Sequence, residues 1–375
     1  MMKRKSENQE IGNHVTRRGF AQTTLGIAAG SIAAPSVLTA AKTDLPMIVG
    51  EGDYRYQVHH QWAQLPSRFG WKTTHNVAVD SENRLYVIHE GNAGKEELQE
   101  PTIFVFNENG EFIQAFGTEL DGGGHGIEIR EENGEEFIYA CGYLAVKTFA
   151  KYTLDGKIVW LKNAPMQSGV YADGEDANRK NDWGRDRFTP TNFAFLDDGD
   201  FFLADGYGSY YVHRYDADGN WKSCFGGAGE GNGKFDLPHG IWIDKRDNRG
   251  PEIIICDRAH NTVQRLDLNG QHLETLEGYG LPANADTFED LMVIPELFAR
   301  VSLLNGSNQV VAYLGDDIAR IKEDQADGGF NIRKDESRWQ NGKFIHPHDA
   351  CFDADGNIFV AEWVATGRVS KLVRV

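Results

Sequence analysis

From residue 50 onward apolar and polar residues alternate in short runs, and no helical periodicity persists beyond two turns. Runs such as Val77-Ala78-Val79-Asp80, Leu85-Tyr86-Val87-Ile88 and Ile103-Phe104-Val105-Phe106 are rich in β-branched and aromatic residues. Turns with Asn or Asp and a Gly separate such runs, so they predict short strands. One unit reads as an inner strand, a turn, a second strand ending in an acidic or polar cluster, and two outer strands joined by a glycine turn. The first unit closes with Asn109-Gly110 and Phe112-Ile113. A second covers about 123–162 with Asp155-Gly156, a third about 189–226 with Asp218-Gly219, and a fourth about 236–278 with Asn269-Gly270. A fifth, about 285–323, is degenerate. The last, 344–375, supplies only Asp349-Ala350-Cys351-Phe352, Ile358-Phe359-Val360 and Val369-Ser370-Lys371-Leu372-Val373.

The last unit lacks its outermost strand, and Tyr54-Arg55-Tyr56-Gln57-Val58 can supply it. The fold class this predicts is all-β, a six-bladed β-propeller forming one domain over 54–375 and closed by an N-terminal strand joining the last blade. Closure matters because a lone four-stranded sheet leaves its inner edge and an apolar face in water. At 375 residues and 40% hydrophobic content the chain can bury such a core, and no linker divides it.

The beginning does not share this pattern. Lys3, Arg4 and Lys5 precede Thr16-Arg17-Arg18-Gly19-Phe20, and a weakly apolar, Gly- and Ala-rich run follows through Ala41. Residues 1–41 read as a twin-arginine export signal, too short for a membrane span, with 42–53 as a short mature N-terminal segment. The expected location is periplasmic or extracellular. Removing the signal's net +3 takes the formal charge from −18 to about −21, which disfavours nucleic acid and anionic membranes as partners. The expected partner is a small-molecule or peptide-derived substrate, and the expected state a monomer. Cys141, Cys224, Cys256 and Cys351 fall in different units without CxxC spacing, so they read as free, mostly buried thiols. The glycine-rich stretch 226–234 is not a phosphate loop, because Ala228 and Phe235 stand where Gly and Ser or Thr are needed.

Candidate chemistry gathers at one repeat position. His125, His239 and His348 are 114 and 109 residues apart, each close to two repeats, which places them on blades two, four and six. Inner strands begin at His75, His125, Thr191, His239 and His348, the position nearest the central channel. Three converging imidazoles suit zinc and leave a fourth coordination position open for water or substrate. His75 reads as a fourth channel residue or a substrate contact. The second strands end in Ile88-His89-Glu90, Cys141-Gly142-Tyr143, Asp205-Gly206-Tyr207, Asp257-Arg258 and Glu362-Trp363, so Glu90, Asp205, Tyr207 and Arg258 are expected around the same mouth. Tyr207 reads as a general base whose pKa a nearby cation would lower, or as a packing tyrosine. Arg258 reads as a clamp for a substrate carboxylate or as a structural partner of Asp257 or another blade carboxylate.

At Phe188-Thr189-Pro190-Thr191, Asp205-Gly206-Tyr207, Gly233-Lys234-Phe235-Asp236-Leu237-Pro238-His239, Asp257-Arg258 and Pro347-His348-Asp349 the chain resembles the peptidyl-α-hydroxyglycine α-amidating lyases, within the wider group of NHL-repeat propellers. The resemblance runs from about 54 to 375 at the level of repeats. It implies zinc on His125, His239 and His348, Tyr207 as base, Arg258 in the active site, and a structural calcium in the channel on Asp349 and the Ile127 carbonyl. The implied reaction is breakdown of a carbinolamide to an amide and an aldehyde acid. The chain departs from the family at three places. Glu90 replaces an arginine that receives the substrate carboxylate, His346 replaces a methionine and is thereby a candidate for acid–base chemistry, and Gly208 stands where a cysteine is usual.

The reading is an exported metal-dependent enzyme, zinc first, with lyase-type cleavage of a small polar substrate. Tyr207, Arg258 and His346 are its candidate catalytic groups, and Glu90, His75 and Asp205 its candidate substrate contacts. Two alternatives remain: a non-catalytic propeller that binds protein or carbohydrate, and a calcium-dependent lactonase-like hydrolase whose metal is held by carboxylates and amides.

Overall fold

The structure, a computed structural model, describes residues 46–92, 99–246, 250–326 and 329–375. The export signal lies outside the described residues. Six antiparallel sheets form the blades of a propeller. Blade one comprises Thr74–Val79, Leu85–His89, Ile103–Phe106 and Phe112–Phe116; blade two comprises Gly124–Glu132, Glu135–Gly142, Thr148–Thr153 and Ile158–Lys162. Blade three is built from Asn192–Phe195, Phe201–Ala204, Tyr211–Tyr215 and Trp221–Gly226, and blade four from Pro238–Asp244, Glu252–Asp257, Thr262–Leu266 and His272–Leu276. The degenerate fifth repeat is a full blade: Asp286–Phe288, Leu291–Glu296, Arg300–Leu304 and Val310–Leu314.

Blade six closes the ring as its missing strand requires. Tyr54–His59 pairs antiparallel with Arg368–Arg374, with Gln57 opposite Val373 and His59 opposite Lys371. A further strand, Ile48–Glu51, pairs outside it, so the expected boundary at 54 moves back into the 42–53 segment and this blade has five strands. Alternate residues of each inner sheet face pack against the next blade. Val58, Val360 and Leu372 of blade six meet Val293, Val301 and Leu303 of blade five in one buried cluster. Each such side chain contributes on the order of 1.5–3 kcal/mol by leaving water.

Two long connections depart from the repeat and overlie the blade ends that carry the candidate residues. One, 163–188, joins blades two and three. The other, 315–346, joins blades five and six and holds the helix Ile318–Ala326. All four thiols are free, and Cys141, Cys256 and Cys351 are buried. Among the described residues no helix is long and apolar enough to cross a membrane.

Candidate metal centre

The hub histidines occupy β-bulges. Thr74 pairs with His89 and Asn76 with Ile88, leaving His75 as the extra residue. His239 stands in the same way between Pro238 and Gly240, and His348 between Pro347 and Asp349. His125 lies in the register shift between Gly124 and Ile127. A bulged residue is released from the strict in-and-out alternation of the pleat, which is how these four side chains turn toward the axis. Their rings form a closed cluster of two triangles that share the His125–His348 edge, 5.0 Å between centroids. Centroids are 4.7 Å apart for His75–His125, 4.9 Å for His125–His239, 4.6 Å for His239–His348 and 4.7 Å for His348–His75.

Three of the four are anchored alike. The Nδ1–H of His125 donates to the Thr191 carbonyl at 3.0 Å, that of His239 to the Ala283 carbonyl at 2.7 Å, and that of His348 to the His75 carbonyl at 3.0 Å. Each acceptor belongs to the inner-strand start of the next blade round the ring. Gly126 and Gly240 permit that approach, since a Cβ would lie 2.2 Å from the Thr191 oxygen and 2.5 Å from the Ala283 oxygen.

A carbonyl can only accept, so these bonds put the proton on Nδ1 and aim the Nε2 lone pair at the hub. The Nε2 atoms of His125 and His239 then face each other as two acceptors at 3.2 Å. That is close to the edge, about 3.3 Å, of a tetrahedron with metal–nitrogen bonds of roughly 2.0–2.1 Å. The Nε2 of His348 is buried and has no partner. Burial is the largest cause holding all three imidazoles well below their ordinary pKa, and hence neutral. The donor set therefore fits a borderline divalent ion such as zinc.

His75 differs. Both of its ring nitrogens are buried without a hydrogen bond, and the Glu90 carboxylate is 4.0 Å from its Nε2. The ligand nitrogens of His75, His125 and His348 lie within 4.8 Å of one another. Proximity thus groups His75 with His125 and His348, whereas backbone anchoring groups His239 with them.

Around this cluster, Tyr207 Oη is 2.9 Å from His239 Nε2 and accepts from Arg258 Nη1 at 3.1 Å. Burial pushes the Tyr207 phenol above its ordinary range, with Arg258 acting against it. Arg258 makes no pair with Asp257, the structural role weighed for it; its Nη2 is buried without a partner, and among the described residues no carboxylate lies within salt-bridge distance. Asp257 instead accepts from the Asp236 amide at 2.8 Å, from Gln264 at 2.8 Å, and bonds His260 Nδ1 at 2.8 Å. Tyr143 packs against His125 and Tyr207, with centroids at 4.8 and 5.6 Å. Trp183, on the 163–188 connection, meets Tyr207 at 5.5 Å. For Glu90, burial raises the pKa but His75, Thr73 and Arg333 together hold it below the usual carboxylate range.

Asp205 is placed away from substrate duty. Its carboxylate accepts from the Thr189 amide at 2.6 Å, the Ser209 amide at 2.8 Å, the Ser209 hydroxyl at 2.6 Å and the Tyr171 hydroxyl at 2.9 Å. It belongs to a set. At the corresponding strand end His89 accepts from the Lys72 amide, Asp257 from Asp236, Glu296 from Gly280 and Glu362 from Ile345. These residues tie the chain leading into an inner strand to the end of the second strand, and Asp205 thereby shapes the turn that carries Tyr207. His346 is also set apart: its Nδ1 donates to the Leu297 carbonyl at 2.6 Å, and its ring contacts are with Phe330 and Trp363, not with the hub imidazoles.

Farther along the channel a second donor set appears, made of oxygens. Asp349 accepts from the Val77 amide at 2.8 Å and from Asn284 at 2.7 Å; Asn192 donates to Glu128 at 3.2 Å. The amide oxygens of Asn192 and Asn284 are buried without partners. Asp286 accepts from the Phe352 amide at 2.7 Å and the Thr287 amide at 2.6 Å, yet burial pushes it up to about 7. Burial first, then Asp349 and Asp286, raise Glu128 well above the carboxylate range.

A carboxyl with a raised folded pKa binds its proton more tightly in the folded state. Its stabilisation is therefore complete below the unfolded value of about 3.9 and is lost as pH rises through about 7. In chelator, the urea midpoint is expected to fall between about pH 4 and pH 7, and to fall less steeply in Asp286→Asn. Identical slopes for the two proteins would refute this.

No protein-family model matches this chain. Solved structures share its fold. A gluconolactonase from Xanthomonas campestris is 10% identical over 85% of this chain and 89% of that one, with a TM-score of 0.52. A protein of unknown function from Bacteroides thetaiotaomicron is 11% identical over 84% and 76%, with a TM-score of 0.53. A streptogramin B lyase is 13% identical over 84% and 97%, with a TM-score of 0.49. At such identities the likeness is one of fold: this chain is a six-bladed β-propeller, and the matches do not single out the amidating lyases.

Proposed function

We propose that the protein is a metal-dependent propeller enzyme that performs lyase-type cleavage of a small polar or peptide-derived substrate at the hub. The observation that supports this most is the threefold anchoring of His125, His239 and His348 by carbonyls of the intervening blades, which leaves each Nε2 as the free acceptor, those of His125 and His239 3.2 Å apart. His125, His239 and His348 would hold a divalent ion, zinc by this all-nitrogen set, and the ion would supply a Lewis acid. Tyr207, 2.9 Å from His239 Nε2 and held by Arg258, would be brought down to the phenolate by a cation at the hub; it would then take the substrate hydroxyl proton and return it to the departing nitrogen as the C–N bond breaks, giving an amide and an aldehyde. The uncommitted face of Arg258 receives an anionic group of the substrate. Export through the twin-arginine route belongs to the same proposal and is checked by cell fractionation.

The mature protein is expected to hold about one zinc per chain, and a metal-free protein would leave the binding-module reading in its place. Tyr207→Phe is expected to lower turnover by about 10²–10⁴-fold, the usual worth of a positioned acid or base, with zinc content unchanged. Full activity in that variant would remove Tyr207 as the base.

A second reading, a calcium-dependent lactonase-like hydrolase, is favoured by one observation: the oxygen set of Glu128, Asn192, Asn284 and Asp349 in the channel. Hard oxygen donors suit calcium. Screening α-hydroxyglycine amides beside sugar lactones, in zinc and in calcium, separates the two.

A further inference from the structure

Beside the hub, between blade one and the 315–346 connection, a cavity of about 300 Å³ is lined by Lys72, Thr73, Glu90, Arg333 and Ala365 among others. Arg333 is fixed in place. Its guanidinium lies 3.5 Å from the Trp363 ring centroid, its Nε donates to the Trp363 carbonyl at 3.2 Å, and its Nη2 donates to the Thr73 hydroxyl at 3.0 Å. Ala365 in turn donates its amide to the Arg333 carbonyl at 2.9 Å. An indole below and two acceptors on one edge leave the Nη1 edge of a planar, pre-oriented fork without a hydrogen-bond partner among the described residues.

Glu90 faces the same cavity with a quarter of its side chain exposed. Among the described residues its one such neighbour is the His75 ring at 4.0 Å, which burial keeps from protonating, so neither Arg333 nor Lys72 neutralises it by contact. Opposite charges therefore stand side by side on one wall without closing on each other. A ligand carrying only a carboxylate meets the charge of Glu90. One carrying only an ammonium meets Arg333 and Lys72. A small zwitterion meets a partner for each end.

We propose that this cavity binds the main chain of an α-amino acid, its carboxylate on Arg333 and Lys72 and its ammonium on Glu90, and that Arg333 and Glu90 together determine specificity at the mouth. The inference rests on the hub reading only for what the bound group is presented to.

The test is calorimetric titration of the mature full chain with glycine, and with acetate and methylammonium as its two halves. Glycine is expected to bind more tightly than either half, and to weaken at least tenfold in Arg333→Gln and in Glu90→Gln. Acetate is expected to bind Glu90→Gln more tightly than wild type, and methylammonium to bind Arg333→Gln more tightly. No glycine binding to wild type, glycine binding no tighter than acetate, or tighter glycine binding in Glu90→Gln would each overturn the proposal. Because Arg333 also packs on Trp363, the partly exposed Glu90 variant is the arm that carries the decision if Arg333→Gln does not fold. Metal content is measured in the same samples. A metal-free protein that binds glycine keeps this inference and removes the lyase reading; a zinc-loaded protein indifferent to glycine does the reverse.

Discussion

Alanine in place of His239 is expected to empty the hub of its ion and to lower turnover by more than the roughly 10–100-fold that loss of a mere outer-shell partner costs. Alanine in place of His75 is expected to keep the ion. The contrast follows from the anchoring. His239 is held by the Ala283 carbonyl with its Nε2 3.2 Å from that of His125, so its lone pair is already aimed at the ligand position. His75 has no such bond on either nitrogen, and binding an ion would require its ring to be fixed at that moment. Its nitrogens nevertheless lie within 4.8 Å of those of His125 and His348, the geometry on which the opposite ranking would rest. Elemental analysis of the two variants decides between them. Zinc lost from the His75 variant and retained by the His239 variant would transfer the third ligand to blade one and detach Tyr207, which bonds His239, from the metal centre.

The ring was legible because its signals are local and repeated. Alternating apolar runs and Asp/Asn-Gly turns recur once per blade, and the missing strand of the last unit is visible as a count. The hub histidines were legible for the same reason, since one repeat position converges on the axis wherever the ring closes. Less accessible was everything supplied by the two long connections. Trp183 and Arg333 sit in segments with no repeat to place them, and their approach to the hub depends on how those segments fold back over the blades.

Asp205 shows the reverse difficulty. In sequence it stands beside Tyr207 among candidate site residues, and only the bonds to Thr189 and Ser209 identify it as a tie within its blade. The signal that could have found it was present: His89, Asp205, Asp257, Glu296 and Glu362 end their second strands at one equivalent position, four of them acidic. A residue type repeated at that position in four of the six blades serves the blade. A residue that varies from blade to blade at the next position, as Glu90, Tyr143, Arg258 and Trp363 do, is free to serve the site.

Glu362→Ala is expected to give the largest loss of stability among the single changes considered, about 3–5 kcal/mol, the usual cost of breaking a buried ion pair from one side. Glu362 is fully buried and accepts from the Ile345 amide at 2.7 Å and from Arg368 through Nη2 at 2.8 Å and through Nε. Its backbone carbonyl accepts from the Thr74 hydroxyl at 2.8 Å, and Thr74 accepts from the Arg368 amide at 3.1 Å, so the pair sits at the seam between the last blade and the first. Removing the carboxylate leaves Arg368 buried with the Lys343 carbonyl and the face of Trp339 as its remaining partners. An uncompensated buried guanidinium, rather than the lost attraction, dominates that cost. Glu362→Ala combined with Arg368→Met is therefore expected to recover part of the loss, a non-additivity that a double-mutant cycle measures directly. Asp155→Ala, at the exposed pair with Lys157 in an outer turn of blade two, is expected to leave the urea midpoint where it is in wild type. Equal midpoints for the Glu362 and Asp155 variants would show that the seam is closed by strand pairing and apolar packing alone, and that the buried ties do not add to it.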